Sequence, residues 1–140
     1  MKILLAVDGS IYTKRMLAYV AAHDEWLGAR HQYTLLNCVP DVERYIESAV
    51  GADVVRRFQD EQAEAVFKPI RAFFTQQGIE VSYVHTVGHA AEVIAQEAVS
   101  GKFDLLIMGS HGQGQMAGIV LGSVATKVLA KCSTPVLLIR

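Results

Sequence analysis

The feature that most constrains this chain is a set of short aliphatic runs, each stopped by turn residues and each separated from the next by a stretch long enough for a helix. Residues 2–7 and 105–108 are continuous aliphatic blocks, the pattern of strands covered on both faces. Residues 33–39 and 136–139 are similar, while 80–87 alternates, with Val81, Tyr83, His85 and Val87 on one side. Helical stretches fill the intervals: 10–27, opened by Ser10 as N-cap, a long one within 51–77, then 89–100 and 123–131. Strict βαβ alternation implies right-handed crossovers and helices on both faces of a parallel sheet. The expected fold class is α/β: a doubly wound, five-stranded, Rossmann-like parallel sheet, with strand order 3-2-1-4-5 assumed.

At 140 residues the chain suits one domain, residues 1–140, with no internal repeat or linker. Pro69 inside the second helical stretch predicts a kink or a split near Lys68. Residues 39–51, with Pro40 and an acidic cluster, form the longest connection without a clear period, placed to fold over a ligand site.

Charge and hydropathy narrow the function classes. Lys plus Arg is 13 and Asp plus Glu is 14, so the net charge of −1 removes the electrostatic basis for nonspecific nucleic-acid binding. The apolar share of 51% excludes a disordered chain, and a mean hydropathy of +0.26 leaves some apolar surface for a subunit interface. The longest aliphatic run, 3–7, is far short of the roughly 20 residues of a membrane-spanning helix, and Asp8 stops it before any cleavage site. No signal peptide, no membrane partner and a cytoplasmic location are therefore expected. Cys38 and Cys132 then stay reduced, as small hydrophobes without a CxxC spacing.

Open α/β sheets bind ligands beyond the carboxyl ends of their strands, where strand order reverses. In the order 3-2-1-4-5 that point brings Asp8-Gly9-Ser10 beside the loop opening at Gly109. From Gly109 to Gly122 the sequence is GSHGQGQMAGIVLG, holding five of the chain's eleven glycines. Glycine lets backbone amides approach a ligand, and Gly122-Ser123 opens a helix whose first amides lack partners, the geometry of an anion cradle. A flexible surface loop with a Gly-Ser cap explains glycine density equally well. Asp8, ending an apolar strand, either contacts ligand or caps the helix that follows.

The spacing Gly109-x2-Gly112-x9-Gly122-Ser123 after the strand Asp104-Leu105-Leu106-Ile107-Met108 resembles the nucleotide-binding signature of the universal stress protein family. MKILLAVDGS at the start, Cys38-Val39-Pro40, Val87-Gly88, Gly122-Ser123-Val124 and Pro135 to Ile139 are similar to it too, the likeness being weakest from Asp41 to Gln77. The resemblance implies a domain of the adenine nucleotide alpha hydrolase-like type that binds ATP, ADP or AMP and works as a homodimer; magnesium enters only as a cation that would compensate for a missing basic residue. It implies that Asp8 and the backbone of Val39 contact the adenosine portion and that Gly109 and Gly112 approach the ribose and phosphates. Gly122, Ser123 and Val124 would offer amides, and Ser123 its hydroxyl, to the outer phosphates. The helix-start reasoning reaches Ser123 independently.

One departure matters. Family loops carry Arg or another basic residue after the second glycine, where this chain has Gln113 and Gln115, with no cation through Gly122 unless His111 is charged. Lys127 stands one turn into the next helix. Walker A, a dinucleotide fingerprint in the first βα unit and a nucleophile elbow are all missing, and no catalytic base is identified, so any ATP hydrolysis should be slow. His85 and His89 are four apart but span a strand-to-helix change, against a shared metal face. The uncharged strand Val136–Ile139 is expected at the sheet edge, covered by the same strand of a second copy or simply short. Two function classes remain: a nucleotide-responsive stress or signalling dimer, and an interaction protein of the same fold whose loop holds no nucleotide.

Overall fold

The computed structural model describes residues 1–114 and 118–140. In chain order these form β1 (Lys2–Ala6), α1 (Ile11–Ala22), α2 (Asp24–Leu27), β2 (Gln32–Val39), α3 (Arg44–Val50), α4 (Ala52–Gln77), β3 (Val81–Val87), α5 (Ala90–Ser100), β4 (Leu105–Gly109), α6 (Ser123–Lys131) and β5 (Val136–Ile139). The strands make one parallel sheet in the order β3-β2-β1-β4-β5, the Rossmann-like arrangement expected from the sequence.

The aliphatic blocks read as continuous because alternate side chains enter two different cores. Ile3, Leu5, Leu35 and Ile107 face α1 and α4, packing with Met16, Val20, Phe67, Ile70 and Phe74. Leu4, Leu36, Leu106 and Met108 face α5 and α6, against Ile94, Ala98 and Val128. Each fully buried aliphatic chain contributes about 1.5–3 kcal/mol of transfer free energy, so the central strands β1 and β4 anchor both layers.

Three local readings change. The stretch 10–27 is two helices, broken at His23, whose ring stacks on Tyr19 at 4.0 Å and whose Nδ1 bonds the Tyr19 carbonyl at 2.8 Å. Pro69 does not split α4, which runs unbroken for 26 residues; Ala65, whose carbonyl loses its helical donor there, is exposed and water can replace it. The connection 39–51 contains α3, which buries none of its residues and packs mainly on α4. The strand β5 pairs only with β4 and forms an edge, with Val136, Leu137 and Leu138 half-buried.

Candidate functional site

Where β1 ends, the chain turns through Asp8-Gly9-Ser10 into α1. Ser10 caps that helix, its Oγ accepting the Tyr12 amide at 3.3 Å. Asp8 is tied into the same turn: its Oδ1 accepts the Ser10 amide at 2.9 Å and the Thr13 hydroxyl at 3.1 Å. The Thr13 Oγ1 in turn accepts the amides of Asp8 and Gly9 at 3.1 and 3.2 Å. Both sequence readings of Asp8 are thus compatible, since Oδ1 closes the turn while Oδ2 faces Gly112, 3.0 Å from where a Cβ on that glycine would stand.

The neighbouring strand β4 ends at Gly109, pressed so closely on α1 that a Cβ there would lie 2.5 Å from the Cβ of Tyr12. Ser110, fully buried, then ties the loop together. Its amide donates to the Ile139 carbonyl at 2.7 Å, and its own carbonyl accepts the Gly122 amide at 2.7 Å. The Gly122 amide expected to meet phosphate is therefore already used by the loop. What remains at the start of α6 are the amides of Ser123 and Val124, since Gly122 supplies no side-chain cap, and Ser123 is exposed.

Sequence reasoning set His111 aside, yet it holds the loop's two arms: one ring nitrogen lies 2.9 Å from Ser110 Oγ and the other 2.7 Å from the Ile119 carbonyl. A carbonyl only accepts, so Nε2 carries a proton and Nδ1 accepts from the Ser110 hydroxyl in the neutral ring. Its place inside the glycine run was the available signal. Gln113, where the family pattern carries a base, donates from Nε2 to the Asp8 carbonyl at 2.6 Å and fastens the loop to β1. Gln115 lies outside the described residues.

Between these two segments opens a cleft of about 500 Å³, lined by Asp8, Tyr12, Gly109, His111, Gly112, Gln113, Gly122, Ser123 and Val124 at its polar side. Leu36, Cys38, Ala90, Ile94, Met108 and Ala125 form its apolar side. The size and the mixture suit a small ligand with a flat apolar body and a polar tail. Burial pushes the Cys38 thiol up to about 11, so it lines the cleft as a neutral group. Six of the seven residues predicted for the site come together here. The exception is Val39, buried beneath the sheet rim with its carbonyl accepting the Gly88 amide at 3.0 Å, outside the cleft lining. Lys127 is exposed on α6 and also outside the lining. Among the described residues the walls carry no Lys or Arg, and no group of three or more metal-ligating side chains occurs.

Fold and site define a class: a doubly wound parallel α/β domain whose switch-point cleft is framed by a glycine loop and an open helix N-terminus. Residues 1–140 match the model of the Universal stress protein family. A universal stress protein of Thermus aquaticus, from the QAH/OAS sulfhydrylase 3′ region, is 33% identical over 138 residues, spanning 99% of this chain and 97% of the relative. Slr1230 of Synechocystis, also a universal stress protein, is 30% identical over 139 residues, though this chain spans only 42% of its length. The solved structure of MJ0577 from Methanocaldococcus jannaschii superposes with a TM-score of 0.78 at 29% identity, covering 99% of this chain and 94% of that one. The chain belongs to the universal stress protein family.

Proposed function

We propose that the cleft binds an adenine nucleotide and that the chain works as a nucleotide-responsive stress or signalling protein in the cytoplasm. The observation that carries this is the pairing of an apolar slot with helix-start amides of α6 that have no partner among the described residues, in one cleft. Universal stress proteins of this fold, at 18–20% identity, have been solved with cAMP, with AMP and with dAMP. In this reading the base enters the slot floored by Leu36, Cys38 and Met108, Asp8 serves the adenosine, and Gly109 and Gly112 let ribose and phosphate approach. Phosphate oxygens accept from Ser123 and Val124, and the Gly122 backbone supports that turn. Each charge-assisted bond contributes roughly 1.5–3 kcal/mol, so two suffice for micromolar affinity in a preformed site. ATP, whose extra charge meets no Lys or Arg among the described wall residues, takes Mg as counter-charge. No group in the cleft is placed to activate water, so the site holds nucleotide and hydrolyses it slowly at most.

Nucleotide contacts at Gly109, Gly112 and Ser123 would reach β5 through the Ser110 amide, which bonds Ile139. Antiparallel pairing of Val136–Ile139 with a second copy closes that edge and makes the homodimer. Sedimentation velocity of a Leu137→Lys variant, expected to be monomeric, checks the pairing.

The cleft itself is tested with Gly112→Val: the added side chain enters the space facing Asp8, and calorimetry should show AMP binding lost while circular dichroism stays native. Unchanged AMP affinity in that variant removes the site assignment. The absence of Lys and Arg from the described walls favours a second reading, an interaction protein of the same fold, which predicts no nucleotide binding in the parent chain.

A further inference from the structure

Among the described residues lining the cleft, the titratable side chains are Asp8 from the end of β1, Tyr12 from α1, Cys38 from β2 and His111 from the glycine loop. Asp8 is the carboxyl group among them, and burial keeps the Cys38 thiol neutral. The first turns of α5 and α6 contribute only uncharged residues to the walls. Arg15 lies outside the lining, its guanidinium 5.2 Å from the Tyr12 ring, while that ring is itself 5.2 Å from the His111 ring. Imidazole is the side chain that carries a proton on one ring nitrogen or on both, and His111 is the imidazole among the described wall residues.

Its position makes the second of those protons relevant to an anion. A Cβ on Gly122 would stand 3.1 Å from the His111 Cα and 3.7 Å from its Cβ, so the residue abuts the start of α6. Its present bonding is that of the neutral ring. The neutral ring accepts from Ser110 Oγ at 2.9 Å, and Ser110 is fully buried. A proton on Nδ1 would turn that bond around and leave the serine hydroxyl proton needing another acceptor inside the protein. An anion at the α6 terminus changes this balance by favouring the imidazolium. Resting on the nucleotide reading above, we propose that His111 takes up a proton when a phosphate-bearing ligand enters the cleft, supplying the positive charge that Gln113 does not. Anion and proton then bind together: phosphate monoesters gain affinity as the pH falls, and the corresponding nucleoside does not.

The test compares AMP with adenosine by calorimetry between pH 7.0 and 8.5, where the phosphate, with its second pKa near 6, stays mostly dianionic. Titrations in two buffers of different ionisation enthalpy count the protons. AMP is expected to take up a measurable fraction of one proton at pH 7.5 and to tighten about three- to tenfold from pH 8.5 to 7.0, whereas adenosine shifts less than twofold. In His111→Gln, which keeps a neutral donor, the uptake and the AMP pH slope should vanish while adenosine still binds. Imidazole 15N spectra of the wild-type protein provide a reading that needs no variant: an Nε2–H neutral ring when free, an imidazolium when AMP is bound. AMP binding without proton uptake, or uptake that persists in His111→Gln, overturns the proposal and leaves the nucleotide reading standing. Failure of both AMP and adenosine to bind overturns the two together.

Discussion

Replacing Gly109 by Ala should destabilise the protein sharply, although the change adds a single methyl group. The new Cβ would sit 2.5 Å from Tyr12 Cβ, 3.4 Å from its Cγ and 3.0 Å from the His111 carbonyl oxygen. Carbon atoms pack at about 3.5–4.0 Å, so the overlap with Tyr12 is about 1 Å. Neither neighbour is a flexible tip: Tyr12 is 5% exposed in the first turn of α1, and the carbonyl belongs to a loop fastened through Ser110. Relief therefore requires α1 to move off β4, at the upper end of the usual overpacking cost, about 3 kcal/mol. For a domain of this size that lowers Tm by about 9 °C. Gly114 is the internal control, because a Cβ there meets no described residue within 4 Å and its φ is not positive. Gly114→Ala should leave stability unchanged or raise it by about 0.4–1 kcal/mol through the unfolded chain. Urea unfolding followed by circular dichroism measures both. A Gly109→Ala midpoint within about 0.5 kcal/mol of the parent would refute the close-packed origin assigned to this glycine.

Two further outcomes follow from the same geometry. Gln113→Arg should strengthen ATP binding about tenfold, the equivalent of one charge-assisted hydrogen bond, and leave adenosine within about twofold by calorimetry; equal gains for both ligands would place residue 113 away from the phosphates. Burial raises Cys38 from 9.0 to about 11 and Tyr33 from 10.0 to about 12, so the folded state holds both protons more tightly than the unfolded chain. That stability is fully present below about pH 9 and falls as the pH rises toward 11–12; equal unfolding midpoints at pH 8 and 10.5 would contradict it.

How much of this was legible in the sequence depended on the kind of signal. The central strands were readable because they lie between two cores, so that Ile3, Leu4 and Leu5 of β1 are all buried in one apolar run and Leu105 to Met108 of β4 form another. The α6 start was readable because Gly122-Ser123 is a local signal. By contrast, α3 has no buried residue and therefore no apolar period to detect. The break at His23 comes from a ring stacking on Tyr19, and the continuity of α4 through Pro69 from the exposure of Ala65, neither of which a propensity pattern contains. At the site, residue types pointed to Asp8, Gly109, Gly112, Ser123 and Val124 correctly as cleft neighbours. Hydrogen-bond partners were beyond reach: that Ser110 takes the Gly122 amide, that Val39 turns under the sheet, and that His111 joins the two arms of its loop are tertiary facts.

The central claim is that the glycine loop and the start of α6 form an adenine-nucleotide site with no Lys or Arg among the described wall residues. Calorimetric titration of the purified, nucleotide-stripped protein with ATP, AMP and GTP, with and without magnesium, tests it most directly. The account predicts micromolar binding of AMP, binding of ATP that improves with magnesium, and weaker binding of GTP. No heat with any of the three, from protein shown to be folded and stripped, would contradict it and identify the chain as an interaction protein built on the same fold.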